Sequence, residues 1–212
     1  MTARLRKLGD NAAIGIGALI IFIAIVLVAA IAASVLIDTS ARLEMQALIT
    51  ASETKNDVSS GLTVEGISGY NESGQISFIA IEITPRAGSP PIDLSETVVE
   101  ISDGAEKHVL RYATQLTAAS SLNGDIFTFG SYGNATCFGI NVMQDADDSC
   151  SIAIPVINYG DHVMIGVNST AIFSGIGPRV DISGLVICEE GAPGIIGFRT
   201  PSTITDAVID LQ

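Results

Sequence analysis

The chain has 212 residues, 10 basic against 23 acidic, a formal net charge of −13, and 48% hydrophobic residues. So acidic a balance excludes nucleic-acid binding, which depends on basic patches that neutralise phosphates. The length leaves room for one long helix and one domain of ordinary size.

Arg4, Arg6 and Lys7 precede a stretch from Ala12 to Ile37 that holds no charged residue. As a helix this stretch spans about 39 Å at ~1.5 Å per residue, more than the ~30 Å hydrocarbon core of a bilayer. The basic flank keeps the N-terminus cytoplasmic and sends the remainder outside. Three readings of the stretch compete. A secretory signal peptide has a shorter apolar core of ~7–15 residues, although Ala30-Ile31-Ala32 imitates its cleavage site. A permanent single-pass anchor is physically sound. The third is a helix that first sits in the membrane and then leaves it for a protein assembly. Ala29 with Ala33, and Ala30 with Ser34, are small-xxx-small pairs that allow helix backbones to approach closely. Beyond the stretch, Leu36, Ser40, Leu43, Ala47, Ala51, Thr54 and Val58 recur at helical spacing, and Gly61 is a stop. The expected helix runs from Ala13 to Ser60, roughly 70 Å at the same rise, with an amphipathic second half that should pack on protein.

Lys7-Leu8-Gly9, then Gly15-Ile16-Gly17-Ala18-Leu19-Ile20-Ile21-Phe22-Ile23-Ala24 and Val28-Ala29-Ala30-Ile31-Ala32-Ala33-Ser34-Val35-Leu36-Ile37, resemble the start of archaellins. These are the archaeal flagellins of the type IV pilin superfamily. The resemblance implies a class III leader, residues 1–12, clipped on the cytoplasmic side by a prepilin-type peptidase that reads Lys7, Gly15, Ile16 and Gly17. The cut falls between Ala12 and Ala13. The family more often has Gly where Ala12 stands, and Asp10-Asn11 intervenes after the basic residues, so cleavage between Gly9 and Asp10 is the alternative. The glutamate of bacterial type IV pilins is absent, and Gly17 stands in its place.

Past Gly61 the periodicity changes to two. Gln75–Thr84 reads as a strand ended by Pro85 and the Pro90-Pro91 pair. Glu96–Ser102 and Lys107–Tyr112 flank Asp103-Gly104, a hairpin signal. Ser151–Asn158 and His162–Val167 flank Tyr159-Gly160-Asp161, a second hairpin. Shorter strands suit Ile126–Phe129, Ala171–Phe173, Val180–Ile187, Ile195–Arg199 and Thr203–Leu211, with a helix conceivable only at Ala113–Ser121. The fold class expected is α+β: a long N-terminal hydrophobic helix, then a β-sandwich over residues 61–212. Gly88-Ser89-Pro90-Pro91-Ile92-Asp93-Leu94-Ser95, Gly175-Ile176-Gly177-Pro178-Arg179 and Phe198-Arg199-Thr200-Pro201-Ser202 also resemble archaellin outer-domain segments. The resemblance implies an immunoglobulin-like sandwich.

No catalytic motif is present. His108 and His162 sit in strand-like runs and read as ordinary strand residues. Asp145, Asp147 and Asp148 could hold Ca²⁺ through oxygens. The glycine and terminal glutamate of an EF-hand loop are missing, so a solvated acidic turn is the plainer reading and no cofactor is expected. In an extracellular domain one disulfide is expected, Cys137 with Cys150, leaving Cys188 buried. Three N-glycosylation sequons occur, at Asn71, Asn134 and Asn168, the first two in turns.

So apolar a helix, once out of the bilayer, must be buried among copies of itself, and one patch offered to successive neighbours builds a helical filament. The archaellin resemblance implies a filament outside the cell, rotated for swimming by a membrane assembly and motor complex, with the membrane occupied only before assembly. A type IV adhesion pilin and a membrane-anchored extracellular binding domain are the rival readings.

Overall fold

The computed structural model describes residues 2–118, 126–127 and 133–212, with side chains from residue 14 onward. The chain divides into two units, residues 1–53 and 54–212. Helix α1 runs Thr2–Ser59, ending one residue before the expected Ser60 and beginning well ahead of Ala13. No proline interrupts residues 2–59, so residues 2–12 and the apolar stretch share one helix. The Thr39 hydroxyl donates back to the carbonyls of Val35 at 2.9 Å and Leu36 at 3.0 Å, which satisfies it beside an apolar stretch. Asp38 and Arg42 pair at 3.2 Å one turn apart, an exposed contact worth only tenths of a kcal/mol. At the end the Ser59 hydroxyl donates to the Lys55 carbonyl at 2.8 Å. Gly61 then takes φ +135°, which turns the chain out of the helix.

The second unit is built on one nine-stranded sheet. Its strands are β1 (Leu62–Glu72), β2 (Gln75–Pro85), β4 (Val98–Ser102), β5 (Lys107–Thr117), β6 (Cys137–Gln144), β8 (His162–Asn168), β9 (Asp181–Ile187), β10 (Gly194–Arg199) and β11 (Val208–Asp210). They lie in the order β10-β9-β4-β5-β6-β8-β2-β1-β11. A separate pair joins β3 (Ile92–Asp93) to β7 (Val156–Ile157). All neighbours in the large sheet are antiparallel except β5 and β6. The sheet curls over on itself. Leu62 of β1 and Ile196 of β10 share one core, and Gly61 bridges Ala192. Leu62 N–H donates to the Ala192 carbonyl at 3.2 Å, and Ala192 N–H donates to Ser60 at 3.0 Å. The two expected layers are thus made by a single continuous ladder. Ile79, Ile81, Ile83, Val99, Ile101, Leu110, Phe138, Ile140, Val163 and Ile165, each fully buried, fill the space between them.

The β4–β5 hairpin forms as expected, because Asp103 accepts backbone N–H bonds from Ala105 at 2.9 Å and Glu106 at 2.8 Å. Those two bonds hold its carboxyl below the usual range. Other expectations fail for identifiable reasons. Residues 113–117 extend β5 and form no helix. The Tyr159–Asp161 turn is real, but no hairpin forms around it: β8 pairs with β2 and β6, while the segment before the turn pairs at Val156–Ile157 with β3 and bridges Cys150 at Pro155. Ala171–Phe173 belongs to a helix, α2 (Ser169–Phe173), because the Asn168 side chain caps it by accepting from Ala171 N–H at 3.0 Å. The last strand is confined to Val208–Asp210, and Ile126–Phe127 lies in a turn, the rest of that expected strand being outside the described residues.

Candidate functional site

The residues from Ile14 to Ile37 are apolar and turned outward. Ile16 is 61% exposed, Phe22 65% and Ile37 72%, and none of the most apolar window is buried. Burial of such a surface is favourable by ~25 cal/mol per Å², so it calls for an apolar environment that this chain alone does not supply. The small residues shape it. Ala24, Ala29 and Ala32, among Ile21, Ile25 and Val28, leave a groove of about 430 Å³, wide enough for a neighbouring side chain. Ala30, Ala33 and Ser34 are exposed beside it. A Cβ added at Gly15 or Gly17 would meet nothing within 4 Å, so no contact within the chain requires glycine there.

A second constellation sits at the end of the β6–β8 ladder. That register pairs Gln144 with His162, and therefore brings the next residue of each strand end, Asp145 and Asp161, together. Oxygens of Asp145, Asp147 and Asp161 lie within 4.8 Å of one another. The expected trio is corrected in one member. Asp148, at φ +57°, is left out, and Asp161 takes its place. Asp145 accepts from the N–H groups of Ser149 at 3.2 Å and Cys150 at 2.9 Å. Asp147 is held below the usual carboxylate range by hydrogen bonds from Ser149 and Asn158. Asp161 is 1% exposed; one of its oxygens accepts from Asn158 N–H at 2.8 Å, and the other has no partner among the described residues. Three clustered carboxylates with an unsatisfied buried oxygen repel one another, and a hard cation with oxygen ligands would relieve them.

The expected Cys137–Cys150 disulfide is not formed; all three cysteines are free thiols. The two sulfurs occupy different surroundings. Cys137 is half-buried, with its sulfur 3.6 Å from the Thr136 hydroxyl. Cys150 is buried in the core, and burial, together with the charges of Asp145 and Asp161, pushes its thiol up to about 12. Because the folded value is raised, that site stabilises the fold below the thiol's ordinary value of 9.0 and loses its contribution as pH rises towards 12. Alkylation of native protein at neutral pH should therefore modify Cys137 first, with Cys150 and Cys188 reacting only on unfolding; early loss of the Cys150 thiol would contradict this packing.

Of the sequon asparagines, Asn134 is exposed, and its side-chain oxygen accepts from Thr136 N–H at 2.9 Å. Asn71 accepts from Gly74 N–H and donates to the Asp206 carbonyl at 3.1 Å, and Asn168 is engaged as the cap of α2. His108 stacks edge-on against Phe173 at 5.1 Å, and His162 lies 3.8 Å from Glu82. Neither faces a nucleophile among the described contacts.

Known proteins agree with this architecture. A family profile described as archaeal-type flagellin matches residues 12–198. Flagellin B2 of Methanocaldococcus jannaschii is 44% identical over 215 residues, covering 96% of each chain. Flagellin B3 of the same organism is 46% identical over 207 residues, covering 94% of this chain and 95% of its own. The crystal structure of archaeal flagellin FlaB1 from M. jannaschii superposes with a TM-score of 0.67 at 38% identity, covering 72% of this chain and 97% of that one. The archaeal flagellum of Methanospirillum hungatei has the same fold, helix included, with a TM-score of 0.63 at 15% identity over 92% of this chain and 98% of that one. With its outward-facing apolar helix and its curled β domain, the chain belongs to the archaeal-type flagellin family.

Proposed function

We propose that the chain is the structural subunit of an archaellum filament and polymerises through helix α1. The observation that carries this reading is the apolar surface of residues 14–37, none of which the chain itself buries. Before assembly the helix occupies the cytoplasmic membrane with residues 54–212 outside, and a prepilin-type peptidase removes residues 1–12. The mature helices then pack in the filament core, the β domains coat it, and a membrane motor rotates it for swimming. The subunit transmits force through packed helices and performs no catalysis.

Sheared extracellular fibres should contain this chain with Ala13 as the first residue. A terminus at Asp10 would move the cut to Gly9, and recovery of an intact Met1 from membranes alone would sink the filament reading. Loss of swimming in a deletion strain separates this function from adhesion. Mass spectrometry of the same fibres tests glycosylation, expected at exposed Asn134 and not at the capping Asn168.

Ca²⁺ fits the Asp145–Asp147–Asp161 cluster because all donors are oxygens and the buried one lacks a partner. Ca²⁺ at 100 times its dissociation constant should stabilise the domain by about 2.7 kcal/mol. Asp161→Asn should be close to neutral without calcium, since it keeps an oxygen for Asn158, and should abolish the calcium-dependent rise in melting temperature. A rise of the same size in the variant would refute the site.

A further inference from the structure

The acidic cluster has an aromatic neighbour that nothing above accounts for. Tyr159 is 79% exposed, and it stands on a turn fastened to the cluster at both ends. Asn158 N–H donates to Asp161 at 2.8 Å, and Asp161 N–H returns to the Asn158 carbonyl at 3.2 Å. The Asn158 side-chain amide donates to Asp147 at 2.7 Å and to the Ser149 hydroxyl at 3.2 Å. The Gln144 amide donates to the Gly160 carbonyl at 3.1 Å. The backbone that carries Tyr159 is therefore fixed beside Asp147 and Asp161. A tyrosine so placed loses little freedom when a ligand covers its ring.

A hard cation takes about 6–8 oxygens, and each of Asp145, Asp147 and Asp161 offers one. The remaining positions fall to oxygens from elsewhere, and Asp147 is exposed, so the cluster opens to solvent on that side. Charge narrows the class of ligand. Three carboxylates around a divalent ion leave one negative charge, on a chain whose formal net charge is −13. No Lys or Arg occurs from Gln144 to His162, and His162 itself lies 3.8 Å from Glu82. Phosphate and carboxylate ligands are thus repelled. A neutral sugar is not. Its hydroxyls replace water on a cation, and the C–H face of its ring packs on an aromatic side chain.

We propose that Tyr159 and a cation held by Asp145, Asp147 and Asp161 form a carbohydrate site. It takes one pyranose unit of a neutral glycan, with two adjacent hydroxyls on the ion and the sugar face on the tyrosine ring. The proposal rests on the calcium reading above and not on the filament reading. A filament displays the site once per subunit, so weak single contacts add up along a glycan-coated surface.

The test passes sheared filaments, or full-length protein in detergent should none form, over polyacrylamide beads carrying mannose or galactose, whose adjacent hydroxyls differ in orientation. Calcium-dependent retention on one of the two is expected, released by EGTA and by the free methyl glycoside. Tyr159→Ala should lose retention while keeping the calcium-dependent rise in melting temperature, and Tyr159→Phe should keep both. Asp161→Asn should lose both. Retention that survives EGTA or Tyr159→Ala overturns the carbohydrate site. So does failure of both sugars, or retention on phosphate-bearing beads in their place, and in each case a persisting rise leaves the calcium reading standing. No rise in the unsubstituted protein removes the calcium reading and the carbohydrate site with it.

Discussion

Ile25→Glu leaves cells without filaments and without swimming, although the subunit still accumulates. Ile25 is 62% exposed and lines the groove formed around Ala29 and Ala32. A carboxylate at the centre of a membrane helix costs on the order of 2.5–3.5 kcal/mol, which a helix this apolar tolerates. In the assembled core the same charge repeats in every subunit and meets only apolar neighbours, at several kcal/mol per copy. Insertion therefore survives and polymerisation does not. Electron microscopy of sheared fractions and immunoblotting of membranes would show no fibres with subunit retained. Ile25→Leu, which keeps volume and apolarity, should assemble normally. Ordinary filaments built from Ile25→Glu would remove the helix from the core.

Gly61→Ala should destabilise the β domain strongly. At φ +135° the backbone is open to glycine alone, and an added Cβ would lie 2.3 Å from the Ala192 carbonyl oxygen and 2.7 Å from its nitrogen. Gly191 presses back from the other side, where a Cβ would come within 2.4 Å of Ser60. Neither contact can yield without giving up the bonds between Leu62, Ala192 and Ser60. Backbone strain of ~1–3 kcal/mol and two lost hydrogen bonds at ~0.5–1.5 kcal/mol each give a loss of about 3–4 kcal/mol. At ~2–4 °C per kcal/mol for a chain of this size, the calorimetric transition should fall by roughly 10 °C. Gly104→Ala is the control. It also has positive φ, +87°, but nothing lies within 4 Å of the new methyl, so its cost should stay near ~1 kcal/mol. Equal shifts for the two variants would show that conformation, not closure against Ala192, governs the site.

The parts legible in the sequence were those that depend on local pattern. An uncharged stretch from Ala12 to Ile37 dictates a helix whatever surrounds it. Asp103-Gly104 between alternating residues dictates the β4–β5 turn. Strand β1 was hidden because Gly66 and Gly69 dilute its alternation. Gly69 is there because a Cβ would meet Leu211 at 2.9 Å and Ile76 at 3.1 Å, a constraint set by distant residues. Strand β6 was hidden in a stretch that reads as loop, and its identity comes from β8 and β5 on either side. Ala171-Ile172-Phe173 is too short for its period to decide between strand and helix, and the Asn168 cap decides it. The acidic cluster failed in the same way. Asp145 and Asp147 stand together in sequence, but Asp161 joins them only through the β6–β8 register, which no local signal records.

The strand order also governs when the domain can come into being. The first strand of the domain is paired with the last, Ser68 with Asp210 and Tyr70 with Val208, and its opening residues are clasped to Ala192. Contacts spanning nearly the whole length of a domain form late and slowly, because a long loop must close before any of them is rewarded. Until Val208–Asp210 is in place, β1 has no partner on that side, and the ladder stands with an open edge. A subunit released early would carry both that edge and a bare helix. Pairing of β1 with β11 therefore has to precede release under the assembly proposed above, and the lipid-held interval proposed for the helix would give the ladder time to shut.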